Sequence, residues 1–208
     1  AGECALTAVT RRRVLLGSGV LVGLLLRSLG CSRKKQEELP ELGHVPAFES
    51  TDQNGKPISP AALQGHPWLA AFMFTRCPSV CPKLTARMSE VELATREDHP
   101  ELRFVSFSVD PEFDTPEVLR AYAEKQHVDL RRWSFWTGHH QPIAEVAEQG
   151  FRVGLSGKIT EGSEHLGITH GSHLILVDGR GVIRGYFRSF DDDLIERVTS
   201  ALDGLSKS

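Results

Sequence analysis

Apolar residues recur along this chain with two different periods, and their alternation divides it into short strands and helices. Trp68 to Phe74 is a continuous apolar run of strand length, the pattern of a central strand buried on both faces. From Pro82 to about Glu97, Leu84, Met88 and Val91 return at helical spacing. Arg103 to Val109 alternates and predicts another strand. Thr115 can cap a further helix, Pro116 suits its first position, and Val118, Leu119 and Tyr122 form its apolar stripe. Ile143 to Phe151 predicts a weaker helix with Ile143, Val146 and Ala147 on one side, and the glycine-rich stretch Gly154 to Gly162 reads as a surface loop. His173 to Val177 and Val182 to Phe187 are strands joined by Asp178-Gly179-Arg180-Gly181, a hairpin signal that makes them antiparallel. A second hairpin is expected around Asp52-Gln53-Asn54-Gly55-Lys56, because asparagine and glycine tolerate positive φ. Asp191 to Leu205 is an amphipathic helix with Leu194, Ile195, Val198, Ala201, Leu202 and Leu205 inward. No internal repeat is visible. A strand–helix–strand unit followed by a hairpin and a terminal helix is the thioredoxin-like arrangement: an α/β fold with a mixed central sheet flanked by helices.

The first residues carry a different pattern. Thr10-Arg11-Arg12-Arg13 precedes an uncharged run from Val14 to Leu26, about the length of a signal h-region and short of the roughly 20 residues that span a bilayer unaided. Residues 1–31 are therefore expected to be an export signal or membrane anchor, residues 32–42 a charged spacer, and residues 43–205 the thioredoxin-like domain. Thr-Arg-Arg-Arg-Val-Leu is similar to a twin-arginine export signal. Gly30-Cys31 resembles a lipoprotein cleavage site, although Ser28 stands where that pattern usually has leucine, so Cys31 is a candidate for lipidation. An uncleaved signal anchor is the alternative. Arg27, Arg33, Lys34 and Lys35 lie beyond the run, so positive charge does not separate its two sides. The expected location is outside the cytoplasm, with the domain on the periplasmic or extracytoplasmic side of a membrane.

Composition narrows the function classes. With 40% hydrophobic and 25% charged residues the chain is neither disordered nor collagenous, and a net charge of −3 gives no electrostatic footprint for nucleic acid. Four cysteines are present, and two of them carry the chemistry. Cys4 lies upstream of the signal and has no assigned role.

Cys77 and Cys81, in Phe74-Thr75-Arg76-Cys77-Pro78-Ser79-Val80-Cys81-Pro82, stand where an apolar strand gives way to a helix. Thiols at such a junction serve redox or soft-metal chemistry, and C-x-x-x-C is one residue longer than the C-x-x-C of ordinary thiol oxidoreductases. If these residues form a helical turn, the i to i+4 spacing puts both sulfurs on one face, where they can share one ion. A helix N-terminus lowers thiol pKa. Pro78 and Pro82 restrict the loop. The bland alternative is a structural disulfide. His165, His170 and His173 cluster before and within the hairpin strand and offer a third donor; His127 and His139-His140 read as solvated. Asp110 and Asp114 could orient the site or a partner, although turn and cap chemistry is the commoner use of a strand-end aspartate. Trp68, Trp133 and Trp136 read as packing residues.

Taken together, Phe74-Thr-x-Cys77-Pro-x-x-Cys81-Pro82, Ser108-Val-Asp110-Pro111-x-x-Asp114-Thr115-Pro116, Trp133-x-Phe135-x-Thr137-Gly138, and His170 ahead of Leu174-Ile-Leu-Val-Asp178 and Gly181-Val-Ile-Arg-Gly-Tyr-Phe187 resemble the Sco/SenC family. The resemblance spans about Pro46 to Phe187. It implies a copper-binding assembly factor for cytochrome c oxidase with a thioredoxin fold, and a metal site of Cys77, Cys81 and His170. Two thiolates and an imidazole suit Cu(I), and accept Cu(II) with added ligands. Many relatives carry an acidic residue before the ligand histidine where this chain has Thr169. The implied function is a copper metallochaperone that receives copper and passes it to the copper-site subunit of a respiratory oxidase or another exported copper protein. The competing reading is a thiol-disulfide oxidoreductase that uses Cys77 and Cys81 as a redox pair on the acceptor's cysteines. It is weakened because no proline follows Ile143 to supply the cis-proline common in thioredoxin-fold reductases. A peroxidase is the third reading, disfavoured by the close second cysteine.

Overall fold

The computed structural model of the chain describes residues 39–138, 143, 145–151 and 172–206. Among the described residues one mixed sheet of eight strands runs in the order β1-β8-β7-β4-β5-β6-β2-β3. The strands are β1 (Gly43–His44), β2 (Ser50–Asp52), β3 (Pro57–Ile58), β4 (Trp68–Met73), β5 (Arg103–Ser108), β6 (Trp133–Thr137), β7 (His173–Val177) and β8 (Val182–Arg188). The helices are α1 (Val80–Thr95), α2 (Pro116–Lys125) and α3 (Leu194–Leu205). A 3₁₀ turn covers Pro60–Leu63 and a π-helical turn Val146–Gly150.

Every residue of β4 is buried, as its unbroken apolar run requires. β4 pairs in parallel with β5, from Trp68 opposite Arg103 to Met73 opposite Ser108, and antiparallel with β7. β5 pairs in parallel with β6, and β7 and β8 form the expected hairpin. Its turn is set by Asp178, whose carboxylate accepts from the N–H groups of Arg180 (2.9 Å) and Val182 (3.0 Å), and by Gly181 at φ +81°. The expected turn at Asp52–Lys56 joins β2 to β3 in the same way: Asp52 accepts from the N–H groups of Asn54 and Lys56, with Gly55 at φ +75°.

Two aromatic layers fill the faces of the sheet. On one, Phe107 lies stacked on Phe72 at 5.2 Å and edge-on to Trp136 at 5.3 Å, with Phe151 and Phe48 closing over it. On the other, Phe104 packs tilted on Trp133, Trp133 stacks on Phe135, and Tyr122 of α2 meets Phe135 edge-on. Tyr122 also hydrogen-bonds Thr85 of α1 (3.0 Å), so α1 and α2 share this face, and α3 packs against α1. Leu194, Val198, Ala201 and Leu202 of α3 are buried, and Ile195 and Leu205 pack at the margin.

Several expectations shift. α1 starts at Val80 rather than Pro82, because a proline in the first turn lacks only an N–H that has no intrahelical partner there. Trp133–Thr137, read from sequence only as a motif, is a full strand with tryptophans on opposite faces. The weak helix at Ile143 to Phe151 is π-helical over Val146–Gly150, with Ile143, Val146 and Ala147 buried as expected. The expected loop Gly154 to Gly162 and residues 1–31, expected to be an export signal or anchor, lie outside the described residues.

Phe107 is buried against rings from β4, β6, the β1–β2 segment and Phe151, which follows the π-helical turn, so its removal would leave a large cavity. Phe107→Ala is expected to lower stability by roughly 3–5 kcal/mol, the cost of a large buried cavity, measured by urea unfolding with the far-ultraviolet circular dichroism spectrum unchanged at zero denaturant.

Candidate functional site

The sulfur-bearing edge is built by the way β4 ends. Past Met73 the chain makes a tight turn in which the Phe74 carbonyl accepts from the Cys77 N–H at 3.3 Å, and α1 begins three residues later. The N–H at the first corner of such a turn points away from the turn and needs an outside acceptor. Asp114 provides it. Its carboxylate accepts from the Thr75 N–H at 3.0 Å, from the Thr75 hydroxyl, and from the Ser108 hydroxyl at 2.6 Å. The second corner residue, Arg76, donates through Nε (2.9 Å) and a terminal nitrogen (2.6 Å) to Asp110, and its guanidinium lies 4.5 Å above the ring of the exposed Phe113.

Cys77 and Cys81 are both free thiols and both buried. Ser79, at the N-cap of α1, makes no side-chain capping bond. The Cys77 sulfur takes that place, accepting from the Cys81 N–H at 3.4 Å. The two thiols then diverge electrostatically. Burial pushes the Cys77 thiol up, but backbone hydrogen bonds from Cys81, Ser79 and Val80 and a hydrogen bond with the Cys81 side chain together outweigh it, and the net shift is downward. Cys81 goes the other way: burial drives its pKa far up, a backbone hydrogen bond at Phe74 offsets only part of that, and the charges of Cys77 and Asp114 add to the rise. The anion is thus more accessible at Cys77 than at an ordinary thiol, and it is strongly disfavoured at Cys81. Tyr122, raised to about 12 chiefly by burial, borders the same region.

The structure therefore brings Cys77 and Cys81 together at a helix start, as their spacing predicts. It assigns both aspartates more than turn chemistry: the Asp110 main-chain carbonyl accepts from the N–H groups of Phe113 and Asp114, while the carboxylates of Asp110 and Asp114 each hold a corner of the cysteine turn. Thr75, Ser108, Thr85 and Tyr122 were not singled out from sequence as site residues. A signal was available in β5, where Ser106 and Ser108 are polar residues among the apolar Phe104, Val105 and Phe107, and both are buried. His173 stands half-buried in β7 and His127 is exposed at φ +56°. His165, His170 and His139-His140 lie outside the described residues, and among the described residues no group of three or more His, Cys, Asp and Glu side chains is placed to hold a metal.

A thioredoxin-like sheet with a C-x-x-x-C dithiol at the β4–α1 junction defines a class of thiol-bearing proteins in which the pair works by binding or by exchange. The family model described as SCO1/SenC matches residues 36–205, so the chain belongs to the SCO1/SenC family. A SCO1 protein homolog of Bacillus subtilis is 32% identical over 188 residues, covering 88% of this chain and 95% of that protein. The solved structure of BsSco, described as a member of the Sco family of cytochrome c oxidase assembly proteins with a disulfide switch, superposes with a TM-score of 0.69 at 28% identity over 82% of this chain and 98% of its own. Copper-bound ScoI of Bradyrhizobium japonicum superposes with a TM-score of 0.64 at 30% identity over 78% and 98%. The thioredoxin-like fold expected from the order of strands and helices is the fold these structures share.

Cys77 combines a lowered pKa with some access, at 5% exposure, whereas Cys81 is fully buried and protonated. Iodoacetamide added to the reduced protein at pH 7.5 (about a unit below an ordinary thiol pKa) is expected to modify Cys77 on the order of ten times faster than Cys81, read by peptide mass spectrometry. Because the thiolate is the reacting form, the Cys77 rate should level off at lower pH than that of an unfolded control. Equal rates at both sites would contradict the assigned electrostatics.

Proposed function

We propose that this protein is a copper metallochaperone of cytochrome c oxidase assembly. Cys77, Cys81 and His170 bind one copper ion, as Cu(I) or Cu(II), and pass it by ligand exchange to the copper-site subunit of a respiratory oxidase or to another exported copper protein. Copper is here cargo rather than a resident cofactor. The observation that carries the reading is the pair of free thiols one helical turn apart, with the Cys77 sulfur accepting the Cys81 N–H. Two thiolates are soft donors that select Cu(I) over hard cations, and an imidazole completes a three-coordinate set. The copper held by ScoI and the oxidase-assembly role given to BsSco support the same reading. Export and attachment to a membrane through residues 1–31, by the apolar run or by a lipid on Cys31, place the domain on the extracytoplasmic side, where such an acceptor is met.

The test is copper stoichiometry of the reduced protein. Wild type is expected to take up one Cu(I), the Cys77→Ser/Cys81→Ser variant none, and His170→Ala one with affinity reduced on the order of tenfold or more, measured by competition with a chromophoric Cu(I) chelator. Equal uptake by wild type and the double variant removes the reading. Absence of uptake by wild type, together with dithiol exchange that is lost in Cys77→Ser and kept in His170→Ala, replaces it with the oxidoreductase.

A further inference from the structure

We propose that Asp114, acting through Thr75, is the positioning residue that fixes where the Cys77 sulfur sits; the copper consequence of this rests on the function proposed above, the geometric consequence does not. Asp114 is fully buried and stands 39 residues from Thr75 in the chain. Its three donors are the Thr75 N–H, the Thr75 hydroxyl and the Ser108 hydroxyl. Ser108 ends β5, opposite Met73 at the end of β4, and its oxygen also accepts from the Asp110 N–H at 3.1 Å. The carboxylate is thus anchored to the sheet on one side and grips the turn on the other.

The grip falls on the residue where it matters. In the turn Phe74–Cys77, the Cys77 N–H is held by Phe74 and the Arg76 side chain by Asp110, which leaves the orientation of the first corner to Thr75. Two bonds to one residue, from its N–H and its hydroxyl, fix both a peptide plane and a side-chain rotamer. Rotating that corner would swing Cys77 relative to Cys81, whose own position is set by α1. The sulfur-to-sulfur geometry therefore depends on a carboxylate that touches neither sulfur in its hydrogen bonding. The alternative is that Asp114 merely stabilises the fold, as buried hydrogen-bonded carboxylates often do.

The full-length reduced chain separates the two. Thr75→Val keeps the shape of threonine and removes the hydroxyl donor, and Thr75→Ser restores it; Asp114→Asn is a harsher companion. Ser50→Ala serves as control, since it deletes a buried hydrogen bond to the Thr137 carbonyl (2.7 Å) across the sheet, with β5 and β6 between it and β4. Two quantities are read: Cu(I) affinity, and the equilibrium of the dithiol with glutathione disulfide, in which the two thiols lose two electrons and two protons as one glutathione disulfide becomes two glutathiones. Thr75→Val is expected to weaken Cu(I) binding about tenfold, the low end of what outer-shell partners contribute, and to shift the glutathione equilibrium about fivefold or more through the altered effective concentration of the sulfurs. Thr75→Ser and Ser50→Ala should both remain within about twofold of wild type, even if Ser50→Ala melts as early as Thr75→Val. Thr75→Val matching wild type in the glutathione equilibrium overturns the proposal, as does Ser50→Ala reproducing its effects. If wild type binds no copper, the chaperone reading fails by itself and the glutathione equilibrium still decides the positioning role.

Discussion

The double burial of β4 is the constraint from which the site follows. With hydrogen-bonded neighbours on both sides and side chains packed on both faces, this strand releases its chain only at its end. The peptides beyond Met73 are still inside the protein: Phe74 is 1% exposed and Cys77 5%. A buried donor left without a partner costs about 1–3 kcal/mol, so the turn needs acceptors from outside itself. Parallel pairing supplies them. Because Met73 lies opposite Ser108, the loop that follows β5 leaves the sheet at the same edge, and it brings Asp110 and Asp114 level with Thr75 and Arg76. An antiparallel neighbour would have placed that loop at the other end.

The same constraint makes the two thiols unequal. Cys77 ends the turn and faces the open N–H groups of the first turn of α1, which favour its anion. Cys81 is already inside that first turn and packs in the core with Leu84 and Met88, where burial favours the neutral form. A four-residue spacing on a helix start thus gives one sulfur the dipole and the other the interior. A shorter spacing would bring both closer to the helix end.

Elements governed by burial were legible in the chain. β4, α1, β5, α2, the β7–β8 hairpin and α3 announce themselves because half or all of their positions face the core, and only their ends moved by a few residues. β1 escaped because it pairs with β8 over only two residues, one of them a glycine, and two residues have no period. β6 escaped because Trp133 and Trp136 bury opposite faces of a strand of only five residues, which blurs the alternation. Of the site, the cysteines were legible from chemistry and spacing. The work of Asp110, Asp114 and Thr75 was not, since it depends on contacts 34 and 39 residues apart that exist only once the parallel register is formed.

Charge balance at this edge bears on what the dithiol can hold. Arg76 is the cation beside Cys77 in sequence, but its guanidinium is bound twice to Asp110 and stacked on Phe113. Asp114 is satisfied by hydroxyl and amide donors, and among the described residues no lysine or arginine pairs with it. Its burial raises its pKa, and the hydrogen bonds from Ser108 and Thr75 offset only part of that, so the net shift is upward. Cys81 is protonated chiefly because it is buried, and the charges of Cys77 and Asp114 reinforce that. The thiol pair therefore sits in a negative, partly dehydrated environment without a resident cation of its own among the described residues. Attraction between unit charges about 4 Å apart, near 1 kcal/mol in water, rises to about 4 kcal/mol at an effective dielectric of about 20. On the proposed function, a soft cation held by Cys77 and Cys81 would gain that attraction, and loss of the Cys81 proton would then cost less. A second lysine or arginine in the turn would collect the same energy permanently, and under the proposed function the sulfurs would then have less to offer a soft cation.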